Sequence, residues 1–201
     1  MWVSTFHSAC VRILRNDATR LGFTTSFAIY DSADSHALIK RIMKEMGLDG
    51  TEIKPGAIQT RISNAKNELL GPADYQNSTQ NSFEEVVAEV YAIYQQRLTS
   101  ANAMDFDDLI GKCVELFQRF PESKNRYRSR FRHILVDEYQ DTNNAQYQWL
   151  LYLSGRQRSA LNNNHNNNIC AVGDDDQNLQ RQTNNIQTMR MSHKKSKCQC
   201  P

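Results

Sequence analysis

Along the first half of the chain, apolar residues recur every three or four positions, the spacing of one face of a helix. Val11, Leu14, Ala18 and Leu21 form the first such face, with Gly22 as its stop. Leu38, Ile42 and Met46 form a second before Gly47, and Ile58, Ile62, Ala65 and Leu69 a third before Gly71. Ser82 and Glu85 read as a capping box ahead of Phe83, Val86, Val87, Val90, Tyr91, Tyr94 and Leu98. Asp105 is the expected cap of a fifth helix through Phe106, Leu109, Ile110, Cys113, Val114 and Phe117, ending before Pro121. A sixth segment, from Ala145 to Leu153, is apolar enough to cover a sheet.

Two runs break this rhythm. Ile134-Leu135-Val136 stops at Asp137-Glu138, and Ile169-Cys170-Ala171-Val172 stops at Gly173-Asp174. Unbroken apolar runs of this length predict parallel strands buried on both faces, with Ala145–Leu153 as the crossover helix. Trp2-Val3-Ser4-Thr5 is a candidate third strand. The strand signal therefore sits at both ends and helix fills the middle, which predicts an α/β sheet domain interrupted by an all-helical insertion. The expected division is 1–22 with 101–177 for the sheet part, and 23–100, without strands, for the insertion. The Asn-rich tract between Leu161 and Asn168 reads as a surface loop, and residues 178–201, which lose all periodicity, as a disordered or aberrant tail.

Composition narrows the classes. The 201 residues are 39% hydrophobic and 23% charged, enough for a core, and no apolar run is long enough to span a bilayer. No secretory leader is visible, so a cytoplasmic location is expected. Cys10, Cys113, Cys170, Cys198 and Cys200 contain no C-x-x-C pair, which argues against a disulfide framework or a zinc site. The net charge of +2 is too balanced to indicate nucleic-acid binding by itself.

The acidic pair is the sharpest chemical feature. Carboxylates at the C-terminal end of a buried parallel strand stand where open α/β sheets bind ligands. Asp137 could hold Mg²⁺, which takes hard oxygen ligands, and Glu138 could accept a proton from, or orient, an attacking water. A solvated acidic turn is the alternative for a bare Asp-Glu.

The surrounding residues carry a resemblance. Asp137-Glu138-Tyr139-Gln140-Asp141-Thr142-Asn143 resembles the Walker B motif of UvrD-like superfamily 1 DNA helicases. Thr5-Phe6-His7-Ser8 with Cys10-Val11-Arg12-Ile13-Leu14-Arg15 resembles that family's DNA-contacting segment. Ala65-Lys66-Asn67-Glu68-Leu69-Leu70 and Tyr94-Gln95-Gln96-Arg97-Leu98 are similar to its inserted helical subdomain. Asp105-Phe106-Asp107-Asp108-Leu109 resembles its return into the first RecA-like domain, and Val172-Gly173-Asp174-Asp175-Asp176-Gln177 its coupling motif. The resemblance implies a partial RecA-like P-loop NTPase sheet that uses ATP and Mg²⁺ to move along single-stranded DNA in the 3′→5′ direction and open duplex junctions in repair or replication. Asp137 would bind the metal, Glu138 act as base, and Gln177 sense the γ-phosphate, with Asp174 supporting the strand end. Thr5, Phe6 and His7 would line the single-strand path.

Departures shape the expectation. The phosphate loop G-x-x-x-x-G-K-[ST] is absent; Gly111-Lys112 is followed by Cys113 inside a helical pattern. Asn178-Leu179-Gln180-Arg181 stands where the family has Ser-Ile-Tyr. The chain therefore reads as an internal piece of the first RecA-like domain, expected to hydrolyse ATP poorly or not at all. A non-enzymatic single-strand-binding role is the main alternative, and a two-metal nuclease built on Asp137, Glu138, Asp141 and Asp174 to Asp176 a weaker one. His36, His133 and His165 are expected at the surface, Tyr91 and Tyr94 in a core, and Arg61 and Lys66 on a solvated helix face.

Overall fold

The computed structural model describes residues 2–48, 52–154 and 168–173. Helix α1, Phe6–Asp17, begins where the Thr5 hydroxyl accepts from the Ser8 N–H at 3.3 Å. It tightens into a 3-10 turn, Ala18–Leu21, and stops at Gly22, whose φ of 86° is left-handed and suits glycine. Strand β1, Ala28–Tyr30, leads into α2, Ser32–Glu45, through a reciprocal cap between Asp31 and Asp34. Then follow α3, Pro55–Asn67, α4, Pro72–Asn77, and α5, Ser82–Ser100. Strand β2, Ala103–Asp105, runs into α6, Phe106–Arg119, which α7, Pro121–Arg130, follows directly. Strand β3, His133–Val136, a 3-10 turn at Tyr139–Asp141, α8, Asn144–Ser154, and β4, Asn168–Ala171, complete the described order.

The expected mixed α/β architecture is present as two short parallel pairs. Strand β1 pairs with β2 with Tyr30 opposite Asp105, and β3 pairs with β4 with Val136 opposite Ala171. Two apolar cores flank the first pair. One collects Ile13, Leu14, Phe27, Leu109, Phe117 and Trp149 from α1, α6, α8 and the segment before β1. The other collects Ile39, Ile42, Ile58, Val90, Tyr94 and Leu98 from α2, α3 and α5. Side chains alternate along a strand, so Ala103 enters the second core and Met104 the first, while Ile29 and Tyr30 divide the same way. The strand pair is the shared wall.

Several expectations are corrected. Trp2–Thr5 forms no strand, and Thr5 serves instead as the α1 cap. The middle of the chain is not strand-free, because β1 lies at Ala28–Tyr30; three residues are too few to show a period, and the partner lies far along the chain. Helix α3 ends at Asn67 rather than Leu69, which has a positive φ of 60°. The α5 cap is Asn81, whose side chain accepts from the Glu84 N–H at 3.0 Å, rather than Ser82. Pro121 ends one helix and opens another, as proline can at a first helical position. Helix α7 itself has almost no apolar stripe to announce it, only buried Tyr127. The strands β3 and β4 are not buried on both faces. Ile134, Val136 and Ile169 pack on the first core, but Leu135 is 74% exposed and Cys170 is exposed, because no described element covers that side. The Asn-rich tract from 162 to 167, Asp174 to Gln177 and the tail from 178 lie outside the described residues.

Candidate functional site

Strand β3 delivers the acidic pair. The last strand residue, Val136, is buried and its carbonyl accepts from the Val172 N–H at 2.8 Å. The Tyr139 N–H donates to the Val172 carbonyl at 3.0 Å, so the end of β4 is stitched to the turn beyond β3. Asp137 and Glu138, between these bonds, are exposed. An Asp137 carboxylate oxygen accepts from the Glu138 N–H at 3.1 Å, and the Gln140 amide donates to the Glu138 carboxylate. Glu138 adopts the left-handed region, φ 52° and ψ 44°, which a glutamate enters only where the surroundings hold it. Gly173 fits closely against this turn. A Cβ there would lie 2.5 Å from Gln140 Oε1 and 3.4 Å from its backbone nitrogen.

Asn143, at the end of the segment, is structural. Asn143 accepts from the Gln146 N–H at 2.9 Å and Gln146 from the Asn143 N–H at 3.2 Å, a reciprocal cap that starts α8. The Asn143 side-chain amide also donates to Asn67 Oδ1 at 2.7 Å, tying the segment to the end of α3. Asp137 thus keeps one carboxylate oxygen without a hydrogen bond among the described residues, and Glu138 likewise. Hard, exposed oxygens of this kind fit Mg²⁺ with part of its water shell retained. Among the described residues no group of three or more His, Cys, Asp or Glu side chains could hold a metal ion. The nuclease reading therefore has no metal cluster there; Asp174 to Asp176 are beyond the described residues. So is Gln177, and the structure unites only Asp137 and Glu138 of the three nucleotide-site candidates. Gly111 sits inside α6, and Lys112 pairs with Glu115 at 2.8 Å.

The second site begins at the other end of the chain. Thr5 Oγ1, besides capping α1, donates to Ser8 Oγ at 3.1 Å. Phe6 is half-buried and meets Trp149 edge-on at 5.8 Å. The His7 ring meets Phe106 edge-on, centroids 5.8 Å apart and planes at 87°. Phe106 is 47% exposed, so His7 and Phe106 make an aromatic ledge at the surface. Sequence reasoning passed over Phe106 as one more core position of an amphipathic helix. Its place immediately after a capping aspartate was the available signal.

Beneath that ledge lies a buried charge cluster. Lys66 Nζ lies 2.6 Å from Asp105 Oδ2 and 2.9 Å from Asp108 Oδ1. Tyr94 Oη donates to Asp105 Oδ2 at 2.9 Å, and the Gln95 amide donates to both Asp108 oxygens at 3.2 and 3.3 Å. The Asp108 N–H donates to Asp105 Oδ1 at 2.8 Å, so the carboxylates that cap α6 also hold the lysine. Burial works against the Lys66 charge, but Asp108 and Asp105 outweigh it and hold the ammonium above the usual lysine range. Lys66 is therefore not on a solvated face; the carboxylates that bury it are far away in sequence. Tyr91 and Tyr94 are core residues, as expected. Burial raises the Asp107 carboxyl despite a hydrogen bond from Ser63. A groove of about 360 Å³ opens beside this cluster, lined in part by Tyr30, Ser35, Gln59, Ser63, Phe106 and Asp107.

Comparison with known proteins places the chain in a family. The UvrD/REP helicase N-terminal domain matches residues 1–190. The chain is 48% identical over 185 residues to the ATP-dependent DNA helicase UvrD1 of Mycobacterium leprae, covering 89% of this chain and 24% of that protein. It is 44% identical over 181 residues to the ATP-dependent DNA helicase PcrA of Bacillus subtilis, covering 90% of this chain and 23% of the relative. The PcrA of Staphylococcus aureus (strain Mu50 / ATCC 700699) is 43% identical over 179 residues, 89% of this chain and 23% of that protein. The chain thus spans about a quarter of the length of these curated relatives. No described helix is long and apolar enough to cross a membrane. With the family's N-terminal domain matched over residues 1–190, nearly its whole length, this chain belongs to the UvrD/Rep helicase family.

Proposed function

We propose that these 201 residues form part of the first motor domain of a cytoplasmic ATP-dependent DNA helicase that tracks 3′→5′ on single-stranded DNA and opens duplex junctions. In this reading residues 1–22 and 101–177 belong to the ATPase sheet domain and 23–100 to its helical insertion. The observation that supports it best is the pairing of β3 with β4, which leaves the Asp137 and Glu138 carboxylates exposed and only partly hydrogen-bonded at the strand end. Mg²⁺, when bound with ATP, supplies neutralising charge at the phosphates. Asp137 would hold that ion, and Glu138 would take the proton of the attacking water. Gln177 reports the γ-phosphate. Thr5 fixes the start of α1, and Phe6, held edge-on to Trp149, and His7, edge-on to Phe106, line the strand's path.

The phosphate loop is absent from the 201 residues, so the backbone N–H cradle and lysine that grip the β- and γ-phosphates are not among them. DNA binding without turnover is therefore the second reading. One experiment addresses both. The purified chain is assayed for ATP hydrolysis with Mg²⁺, with and without oligo-dT, and for oligo-dT binding by fluorescence anisotropy. Submicromolar, salt-sensitive binding that weakens on His7→Ala, with no stimulated turnover, is the expected result. Absence of binding at low salt removes the DNA assignment, and robust turnover shows that phosphates are gripped by other residues.

A further inference from the structure

The charge cluster under the aromatic ledge is built more elaborately than stability demands. A buried ion pair is seldom worth more than well-packed apolar side chains of the same volume, whereas its geometry fixes one relative placement of the elements that carry it. Here the elements are α3, which brings Lys66, α5, which brings Tyr94 and Gln95, and the first turn of α6, which brings Asp105 and Asp108. Every one of these contacts ends on that first turn. Phe106 belongs to the same turn, and its exposed ring is the one that meets His7 edge-on at 5.8 Å.

The end of α3 has a second anchor. Asn67, adjacent to Lys66, accepts from Asn143 in the segment that follows the acidic pair, at 2.7 Å. Consecutive residues of one helix therefore reach the turn that braces His7 and the segment that begins at Asp137. The placement of Phe106 is thereby referenced to the helical insertion and to the acidic segment together.

We propose that Lys66 is a positioning residue: by bridging Asp105 and Asp108 it holds the first turn of α6 so that Phe106 keeps the His7 ring in place for single-stranded DNA. The inference rests on the assignment of His7 to the DNA path. It differs from it in naming a residue that touches no DNA, buried in the helical insertion, as a determinant of DNA affinity.

The test is a double-mutant cycle read by oligo-dT anisotropy on the full chain, with helicity by circular dichroism as the folding control. Lys66→Met combined with Asp108→Asn removes the bridge, leaves the net charge unchanged and keeps the Asp105 cap and its Tyr94 bond. The expected result is native helicity with affinity weakened about tenfold in the parent and by less than about twofold in a His7→Ala background. An affinity equal to the parent's, or the same loss in both backgrounds, overturns the proposal, because a purely structural lesion adds to His7→Ala instead of vanishing with it. Should the double variant lose its helicity, Tyr94→Phe decides, since it deletes only the hydroxyl that donates to Asp105. A loss of about two- to threefold confined to the His7 background supports the proposal, and no loss overturns it. If His7→Ala itself leaves binding unchanged, the DNA assignment fails first and takes this inference with it.

Discussion

Asp105 ends one short parallel strand and Asp137 follows another, and each has a second carboxylate close behind it, Asp108 in one case and Glu138 in the other. The two pairs share chemistry and topological address, yet one is buried around Lys66, Tyr94 and Gln95 while the other is exposed, with only a backbone N–H and the Gln140 amide for partners among the described residues. An acid pair at a strand end is therefore not a site because of where it stands in the topology. What separates the two pairs is whether the fold supplies their counter-charge or leaves it to come from solution. The contrast extends to the apolar residues around them. Ile42 in the helical core is fully buried, whereas Leu135 beside the acidic pair is 74% exposed.

The largest expected effect is on the buried pair. Lys66→Met alone strands two carboxylates in the interior and should lower unfolding free energy by about 3–5 kcal/mol, measured by urea denaturation. The same dependence should be visible in the parent on titration. The folded-state pKa of Lys66 is raised, so its contribution is complete below the ordinary lysine value of about 10.4 and is lost as pH climbs through the higher folded value. A melting temperature in Lys66→Met that falls as steeply above that pH as in the parent would contradict the assignment. Next, Ile42→Ala should lose about 2–5 kcal/mol through cavity formation, and Leu135→Ala no more than about 0.5 kcal/mol. Equal losses in calorimetry would mean that the outer face of β3 is covered after all. Smallest, Asp137→Asn and Glu138→Gln should each leave stability within about 0.5 kcal/mol of the parent. A drop comparable to that of Lys66→Met would erase the distinction between the two pairs.

The sequence was most legible where local pattern decides structure. Leu109, Ile110, Cys113, Val114 and Phe117 lie on one buried helical face after the Asp105 cap, as their spacing predicts. Ile134-Leu135-Val136 reads correctly as a strand and Ile169-Cys170-Ala171 as its parallel partner. What escaped was decided by distant residues. Lys66 has the profile of any exposed helical lysine until Asp105 and Asp108, some forty positions on, enclose it. Strand β1 exists because β2 offers it three partners across more than seventy residues, and no window of sequence contains both. The acidic pair stands out in the sequence because its residue types announce chemistry by themselves. Phe106 was missed because an aromatic at helical spacing looks the same whether it faces a core or solvent.

One backbone angle has a consequence for how this chain can change over time. At Glu138 the chain turns through a conformation that glycine enters freely and that a branched or long side chain resists. Glycine at that position would relieve the conformation but would remove a carboxylate from the strand end. Glutamate there sets a conformational penalty against the chemical role proposed for its carboxylate, so that robustness and the proposed chemistry pull the position in opposite directions.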